Sequence, residues 1–337
     1  MDIRKVQMSG GSSYIVSLPK EWVKKSNIHK NDPVGLIVQE DGNLMITPNT
    51  SGFQVQKIWE FEVNASTDQN YFLRCMIGAY ISGYTSMKIW AHGRLPAFVT
   101  ERVREFTNMA IGQEVVEESD KTIIIKDLLN PSEMPILNTL NRMSVIVAKM
   151  HRDALIALKE NDLNLSKNVI ARDSDVDRLH WLIGRQSHLI INDLNLSRRM
   201  KVSPDMAASY FLISRIIERV GDHATRIAGN VEKIAGKNIP EEIYEKIESV
   251  SSESLKVFQM STDSFFQNDI EKGNSVIELA FDIEEKCREI NKEAINYDAV
   301  LAIPIVNISD SIRRVFDYST DICENLINEI VGKTPKM

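Results

Sequence analysis

Cysteine is scarce in this chain: 337 residues contain three, Cys75, Cys287 and Cys323. They are widely separated, odd in number and lack metal-ligand spacing, which argues against a disulfide framework or a zinc site and predicts reduced, mostly buried thiols. Long apolar runs are missing too. No stretch of about 18 or more uncharged apolar residues occurs, and the polar start (Asp2, Arg4, Lys5, Gln7) leads into no signal-peptide segment. The sequence thus predicts a cytoplasmic protein with no membrane insertion. Catalytic signatures are absent as well. His29, His92, His151, His180 and His188 form no HExxH pair, and there is no GxSxG, Walker or dinucleotide motif. Nothing places a nucleophile beside a base, so the expectation is a protein that is not an enzyme.

What the chain does have is length and an uneven charge. It is long enough for two or three domains, each able to bury a core. The formal charge is −7, yet residues 1–30 hold Arg4, Lys5, Lys20, Lys24, Lys25 and Lys30 against Asp2 and Glu21, a local +4 that leaves −11 for the remainder. A basic tip on an acidic body gives local phosphate affinity without general adhesion to nucleic acid.

Residues 1–50 read as strand, turn, strand, short helix and two more strands. "SSYIVSL" sets Tyr14, Val16 and Leu18 on one face, Pro19 fits a first helical position, and Asn27 ends the helix. Asp41-Gly42-Asn43 between "VGLIVQE" and "NLMITP" predicts a hairpin. About fifty residues make a poor core, so this small sheet with one helix needs a dimer or exchanged strands to complete its burial. Residues 53–128 follow the order β-α-β-α-β-β, with helices from Asp68 to about Ser82 and after Pro96. That order predicts an α+β sandwich of the ferredoxin-like or small-molecule-sensor sort, its role open between spacer, dimer contact and ligand pocket.

Pro131 and Pro135 break the chain, which then reads as six helices: 137–161, 167–193, 204–235, 241–269, 275–297 and 304–331. The six form a repeat. "VIARDSDVDRL" from Val169 overlays "VIELAFDIEEK" from Val276, and "ERVGDHATRIAGN" from Glu218 overlays "RRVFDYSTDICEN" from Arg313. Two tandem three-helix bundles, residues 136–236 and 240–333, are expected.

Acidic residues recur in both repeats. Asp173 and Asp177 lie four apart on one helix, as do Glu218 and Asp222 on the next; Asp317 and Asp321, with Glu284 and Asp282 nearby, repeat the arrangement. Carboxylates converging from adjacent helices suit hard or borderline cations. The competing reading is a solvated helix face, with Asp222 and Arg226 as an ordinary intrahelical pair worth about 0.2–0.5 kcal/mol. His223 is a secondary ligand candidate.

The helical region resembles a pair of PhoU domains. "ERVGDHATRIAGN" follows that family's third-helix signature and "RDSDVDRL" its second-helix acidic motif. The resemblance implies two helical bundles, a role in phosphate uptake and signalling, and a metal site of iron, zinc or manganese. It assigns metal ligation to Asp173, Asp177, Glu218 and Asp222, with Glu284, Asp317 and Asp321 as the second set. Ala280 and Arg313 stand where Asp173 and Glu218 do, so the second set departs from the pattern, and the charge of Arg313 can replace that of a metal. The opening "RKVQMSGGSSYIVSLPKEW" resembles the AbrB or SpoVT type of DNA-binding domain, a swapped-hairpin dimer. That implies DNA contacts from Arg4, Lys5, Lys20, Lys24 and Lys25, with Ser12 and Ser13 on phosphates; the alternative is that the lysines only solubilise a dimerisation module. The combination is similar to archaeal phosphate-uptake regulators. The fold expected is therefore multidomain α+β and all-α, and the function a dimeric, DNA-binding regulator of phosphate homeostasis. The alternative is an adaptor that contacts a phosphate transporter or sensor kinase without touching DNA. A metal-dependent phosphatase ranks last, because no general acid, lid or phosphate-binding glycine loop accompanies the carboxylates.

Overall fold

A computed structural model describes residues 2–38, 42–48, 56–234, 237 and 239–333, the side chains of 280–282 and 333 excepted. The chain divides into two compact units, Met1–Val55 and Gln56–Met337.

In the first unit, β1 (Gln7–Ser9) and β2 (Ser13–Ile15) form an antiparallel hairpin, helix α1 (Lys20–Lys25) follows, and β3 (Gly35–Val38) pairs antiparallel with β4 (Leu44–Thr47). Gly10 and Gly11 close the first hairpin at φ 63° and 78°, a left-handed conformation that side chains with a Cβ resist. Asn27 ends α1 at φ 51°, as the sequence predicts, with the Ile28 N–H donating back to the Val23 carbonyl at 3.0 Å. Two expectations are corrected. Pro19 caps α1 instead of opening it. The strands make two separate two-stranded hairpins, not one sheet, because each strand finds its partner only across its own turn. Gly42 sits in the predicted second turn at φ 83°, while Asp41 lies outside the described residues. Among the described residues of this unit only Ile37 is buried. Val6, Met8, Tyr14, Val16, Leu36, Val38 and Leu44 are all exposed in the single chain.

The second unit begins with the sandwich: β5 (Ile58–Glu62), α2 (Gln69–Ile81), β6 (Ser86–Trp90), α3 (Ala97–Met109), β7 (Gln113–Glu118) and β8 (Thr122–Asp127). The Asp68 carboxylate accepts from the Tyr71 N–H at 2.7 Å and fixes the start of α2. The element order is the predicted one, but the sheet order is β5-β6-β8-β7 with β5 and β6 parallel. A ferredoxin-like sheet is excluded, because the crossover through α2 brings β6 directly beside β5 with no strand between them. Alternate strand residues Met87, Ile89, Ile123 and Ile125 pack under Phe72, Met76, Val99 and Phe106.

After a 3-10 turn at Pro131–Glu133, nine helices follow among the described residues. They are α4 (Ile136–Glu160), α5 (Leu163–Ala171), α6 (Asp173–Asn192), α7 (Leu194–Met200), α8 (Pro204–Ile234), α9 (Glu241–Gln267), α10 (Ile270–Glu278), α11 (Ala280–Ala294) and α12 (Ala299–Lys333). Six continuous helices were expected; two of the three additional ones arise from matching breaks in the two repeats, and the third, α7, is confined to the first repeat, where Asp193 caps it. The middle helix of each repeat starts earlier and breaks, at Arg172 in the first and Leu279 in the second, each with ψ near zero. Each starts from the same device: Asn161 and Asn268 are left-handed, and Asp162 and Asp269 then cap α5 and α10. The last helix begins before Pro304, which lies inside its first turns, because the Asp298 carboxylate accepts from the Leu301 N–H and sets an earlier start. One continuous apolar core runs through both bundles, from Leu140 and Val220 to Phe258 and Ile312.

The sandwich is bolted to α6. Arg185, 2% exposed, donates to the Tyr80 carbonyl at 2.5 Å and pairs with Asp127. Gln186 donates to the carbonyls of Pro131 (2.9 Å) and Met134 (2.7 Å). Gly83, at φ 80°, leaves room for Leu189, which a Cβ there would meet at 2.7 Å.

Candidate functional sites: a basic tip and a carboxylate cluster

The candidate residues fall in both units, and each group is built by its own. Arg4, Lys5, Ser12, Ser13, Lys20, Lys24 and Lys25 are all exposed in the first unit. Lys24 and Lys25 occupy the last turn of α1, where cations face the negative end of the helix dipole. Ser12 ends the glycine turn and Ser13 opens β2. Arg4 is partly neutralised by Asp2, 2.6 Å away, and reaches the Ser17 hydroxyl at 3.4 Å.

In the first bundle the carboxylates come from α6 and α8. Asp173 opens α6 and Asp177 follows one turn later, while Glu218 and Asp222 lie one turn apart on α8. Gly221 lets the helices close: a Cβ there would stand 3.3 Å from Val147 on α4 and 3.7 Å from Val176 on α6. Glu218 is 7% exposed; its Oε1 accepts from Arg215 at 3.1 Å and its Oε2 has no partner. Burial, then the charge of Asp222, pushes its carboxyl up to about 7 against the pull of Arg215, and Asp177 and Asp173 push the same way. Burial, then Asp177 and Asp222, pushes Asp173 up to about 6, and its Oδ1 is also unpartnered. Asp177 is raised by burial and Asp222. Glu218 is buried and Asp173 and Asp177 are half-buried, each raised first by that burial and then by a neighbouring carboxylate, which sets them apart from a fully solvated helix face. The chemistry of the set, a buried carboxylate oxygen without a donor and three further carboxylates on the same two helices, is of the oxygen-donor type that hard cations take. Among the described residues, no three His, Cys, Asp or Glu side chains are grouped so that they could hold a metal ion as they stand.

The second bundle is built differently. Arg313 donates to Asp317 at 2.9 Å and to Asp310 at 2.8 Å, and Arg314 reaches Asp317 at 3.5 Å. Glu284 is exposed and pairs with Arg288 at 2.7 Å. Burial raises Asp317 against the pull of the two arginines, and burial and Glu324 raise Asp321 against Arg219. The side chain of Asp282 lies outside those described.

His223 is buried and packs on Tyr318 of the second bundle with ring centroids 5.7 Å apart; burial lowers its imidazole to about 4. Sequence reasoning missed Arg215, the cation nearest the first cluster. Its signal lies three residues before the quoted overlay, where Arg215 falls on Asp310.

Residues 140–231 and 247–326, together just over half of the chain, match the PhoU domain model. The chain belongs to the PhoU family. Its PhoU region is 25% identical over 206 residues to the phosphate-specific transport system accessory protein PhoU homolog 1 of Thermotoga maritima, a match covering 58% of this chain and 86% of that one. The phosphate-specific transport system accessory protein PhoU of Escherichia coli is 23% identical over 200 residues, covering 57% and 80%. Among solved structures, PhoU from Pseudomonas aeruginosa superposes with a TM-score of 0.52 at 19% identity, over 59% of this chain and 96% of that one. The phosphate transport system regulatory protein PhoU from Streptococcus pneumoniae gives 0.51 at 20% identity, over 60% and 96%. These likenesses establish the PhoU fold of the helical part, and the relatives are accessory and regulatory proteins by name. Residues 7–54 match the model "Antidote-toxin recognition MazE, bacterial antitoxin", which agrees in kind with the AbrB-type resemblance. No described helix is long and apolar enough to cross a membrane.

Proposed function

We propose that this chain is a cytoplasmic, DNA-binding transcriptional regulator of phosphate uptake, working as a homodimer through its N-terminal unit. The observation that carries the reading is the joining, in one chain, of a PhoU body to a MazE-like unit that is basic and unfinished. The exposed strand residues need a cover, and a second copy supplies one of matching shape and pattern. Doubling Arg4, Lys5, Lys20, Lys24 and Lys25 then doubles the cations offered to phosphates, with Ser12 and Ser13 as neutral contacts. The combination is that of the archaeal phosphate-uptake regulators the sequence resembles. The test is retention of selected fragments of DNA from the protein's own source by the full-length chain.

In the body, Asp173, Asp177, Glu218 and Asp222 would hold a divalent or trivalent ion such as iron, zinc or manganese. The ion would neutralise carboxyls that burial and mutual repulsion now hold above their usual range. Elemental analysis of protein purified without chelator or metal column should find it, and Asp173→Asn with Asp222→Asn should remove it. A native protein that never takes up metal sinks the proposal.

The names of the relatives favour a second reading. An accessory protein of a phosphate transport system would act on a transporter or sensor component by contact alone, its N-terminal unit serving only to dimerise. That reading expects no retained DNA.

A further inference from the structure

The two bundles share a fold but not a charge. Residues 136–236 hold 15 Lys and Arg against 11 Asp and Glu, whereas residues 240–333 hold 9 against 20. Part of the first bundle's excess lies on one helix face. Along α4 the exposed side chains Asn138, Arg142, Val145, Lys149, Arg152 and Ile156 recur at spacings of three and four and form a single outward row. The row has three cations and no carboxylate. Among the described residues none of the three has an ion pair: the half-buried Asp153 beside them is held by Arg172 at 2.6 Å, and Glu248 lies 3.9 Å from Lys159, beyond the row's end.

The fold does not require this row. Asn161 and Asn268 end α4 and α9 with the same left-handed turn, which sets the two helices in register. In that register Ser249, Ser252, Lys256, Gln259 and Asp263 take the places of Arg142, Val145, Lys149, Arg152 and Ile156, and all five are exposed. A neutral row serves the second repeat, so exposure alone does not call for a cationic row in the first.

We propose that the α4 row is a second DNA contact, in which Arg142, Lys149 and Arg152 bind phosphates of duplex DNA and add affinity without reading sequence. The inference rests on the DNA-binding reading above. Arg142 stands about 10.5 Å along the helix axis from Lys149 and about 15 Å from Arg152. A major groove is about 12 Å wide, so these cations meet phosphates on its two sides. Charge selects this face of the body, because the 20 carboxylates of the second bundle repel a polyanion. Val145 and Ile156 are 63% and 44% exposed, but the row has no Trp, Phe or Leu to enter a lipid surface, which sets a membrane aside as the occupant.

The test uses the full-length chain and the DNA fragment it retains, titrated over a range of salt concentrations. Arg142→Gln/Lys149→Gln/Arg152→Gln should melt with wild type, since all three side chains are exposed. It should bind about tenfold more weakly or worse, with a log–log slope shallower by about 5 for a dimer. Arg142→Lys/Arg152→Lys, which keeps the charge, should bind as wild type does. Lys256→Gln/Arg288→Gln/Lys292→Gln, which removes the same charge from exposed positions of the second bundle, should leave the slope unchanged. Bound DNA should also shield Lys149, and not Lys256, from acetylation. Equal slopes for wild type and the α4 triple variant, or full acetylation of Lys149 in the complex, overturn the inference and leave the N-terminal DNA reading standing; an acidic protein as the occupant of the row would give that result. An equal loss in the second-bundle variant overturns it too, because the effect is then one of overall charge. Retention of no DNA by wild type overturns both readings.

Discussion

At the scale of single residues, the first cluster holds carboxyls that burial first and neighbouring carboxylates second push above their ordinary range, with Arg215 offsetting only part of the shift at Glu218. Glu218 titrates at about 7 and Asp173 at about 6 in the fold, whereas ordinary carboxyls in an unfolded chain titrate at about 4. The folded state therefore holds these protons to higher pH than the unfolded state does. Their stabilising contribution is complete below about pH 4 and is lost as pH rises through 6 and 7. Metal-free protein should show that loss as a falling contribution to the melting temperature between pH 5 and 8. Glu218→Gln, which cannot ionise, should flatten the dependence, and added manganese should flatten the wild-type curve in the same way. Equal slopes for wild type and Glu218→Gln in chelator would show that Glu218 is not under this strain. The positions of these carboxyls were legible, because spacing of four on two helices, repeated, is a sequence pattern. Their burial was not legible, since it depends on Gly221 admitting α8 against α4 and α6.

At the scale of elements, α6 does two jobs. Its N-terminus carries Asp173 and Asp177, and Arg185, three turns on, holds the sandwich. Removing one partner of a buried ion pair leaves the other charge desolvated, so Arg185→Leu should cost about 3–5 kcal/mol in urea unfolding. Arg185→Leu with Asp127→Leu should recover part of that loss, since it strands no charge. A loss in the single variant below about 1 kcal/mol would mean that water reaches Asp127. Sequence could not reveal this contact, because Arg185 and Asp127 are 58 residues apart and neither stands in a recognisable motif. The helix breaks were legible in principle: Asn161-Asp162 and Asn268-Asp269 are the same turn-and-cap pair in the same place of each repeat. Apolar periodicity hides them, because it continues across a break that barely changes direction. The sandwich was read nearly element for element, since Asp68, Pro96 and Ser119-Asp120 punctuate it. Its pairing order escaped, because strand neighbours follow from packing and not from chain order.

At the scale of the whole molecule, the two units pose opposite problems. The second has one continuous helical core joined to the core of the sandwich by buried polar contacts. Among its described residues the first buries only Ile37, and its exposed strand residues lie open in the single chain. A dimer through that unit predicts that Leu36→Asp, harmless on a truly exposed strand, breaks the assembly. Sedimentation should then show monomer where wild type shows dimer, and an unchanged dimer would mean the body and not the N-terminal unit holds the copies together. The basic character of this unit was plain from composition. Its incompleteness was foreseen from length alone, because fifty residues cannot bury enough apolar surface.

The central claim is that this unit brings a PhoU body to DNA, and the slope of binding against salt tests it most directly. Full-length protein and its Lys20→Ala/Lys24→Ala/Lys25→Ala variant would be titrated onto a retained DNA fragment over a range of salt concentrations. If the lysines neutralise phosphates, wild-type affinity should fall steeply with salt, and the variant should bind more weakly with a log–log slope shallower by about 5 for a dimer. Equal affinity and equal slope in the two proteins, or no binding by either at low salt, would contradict the account and leave the protein an accessory factor that works through protein contacts alone.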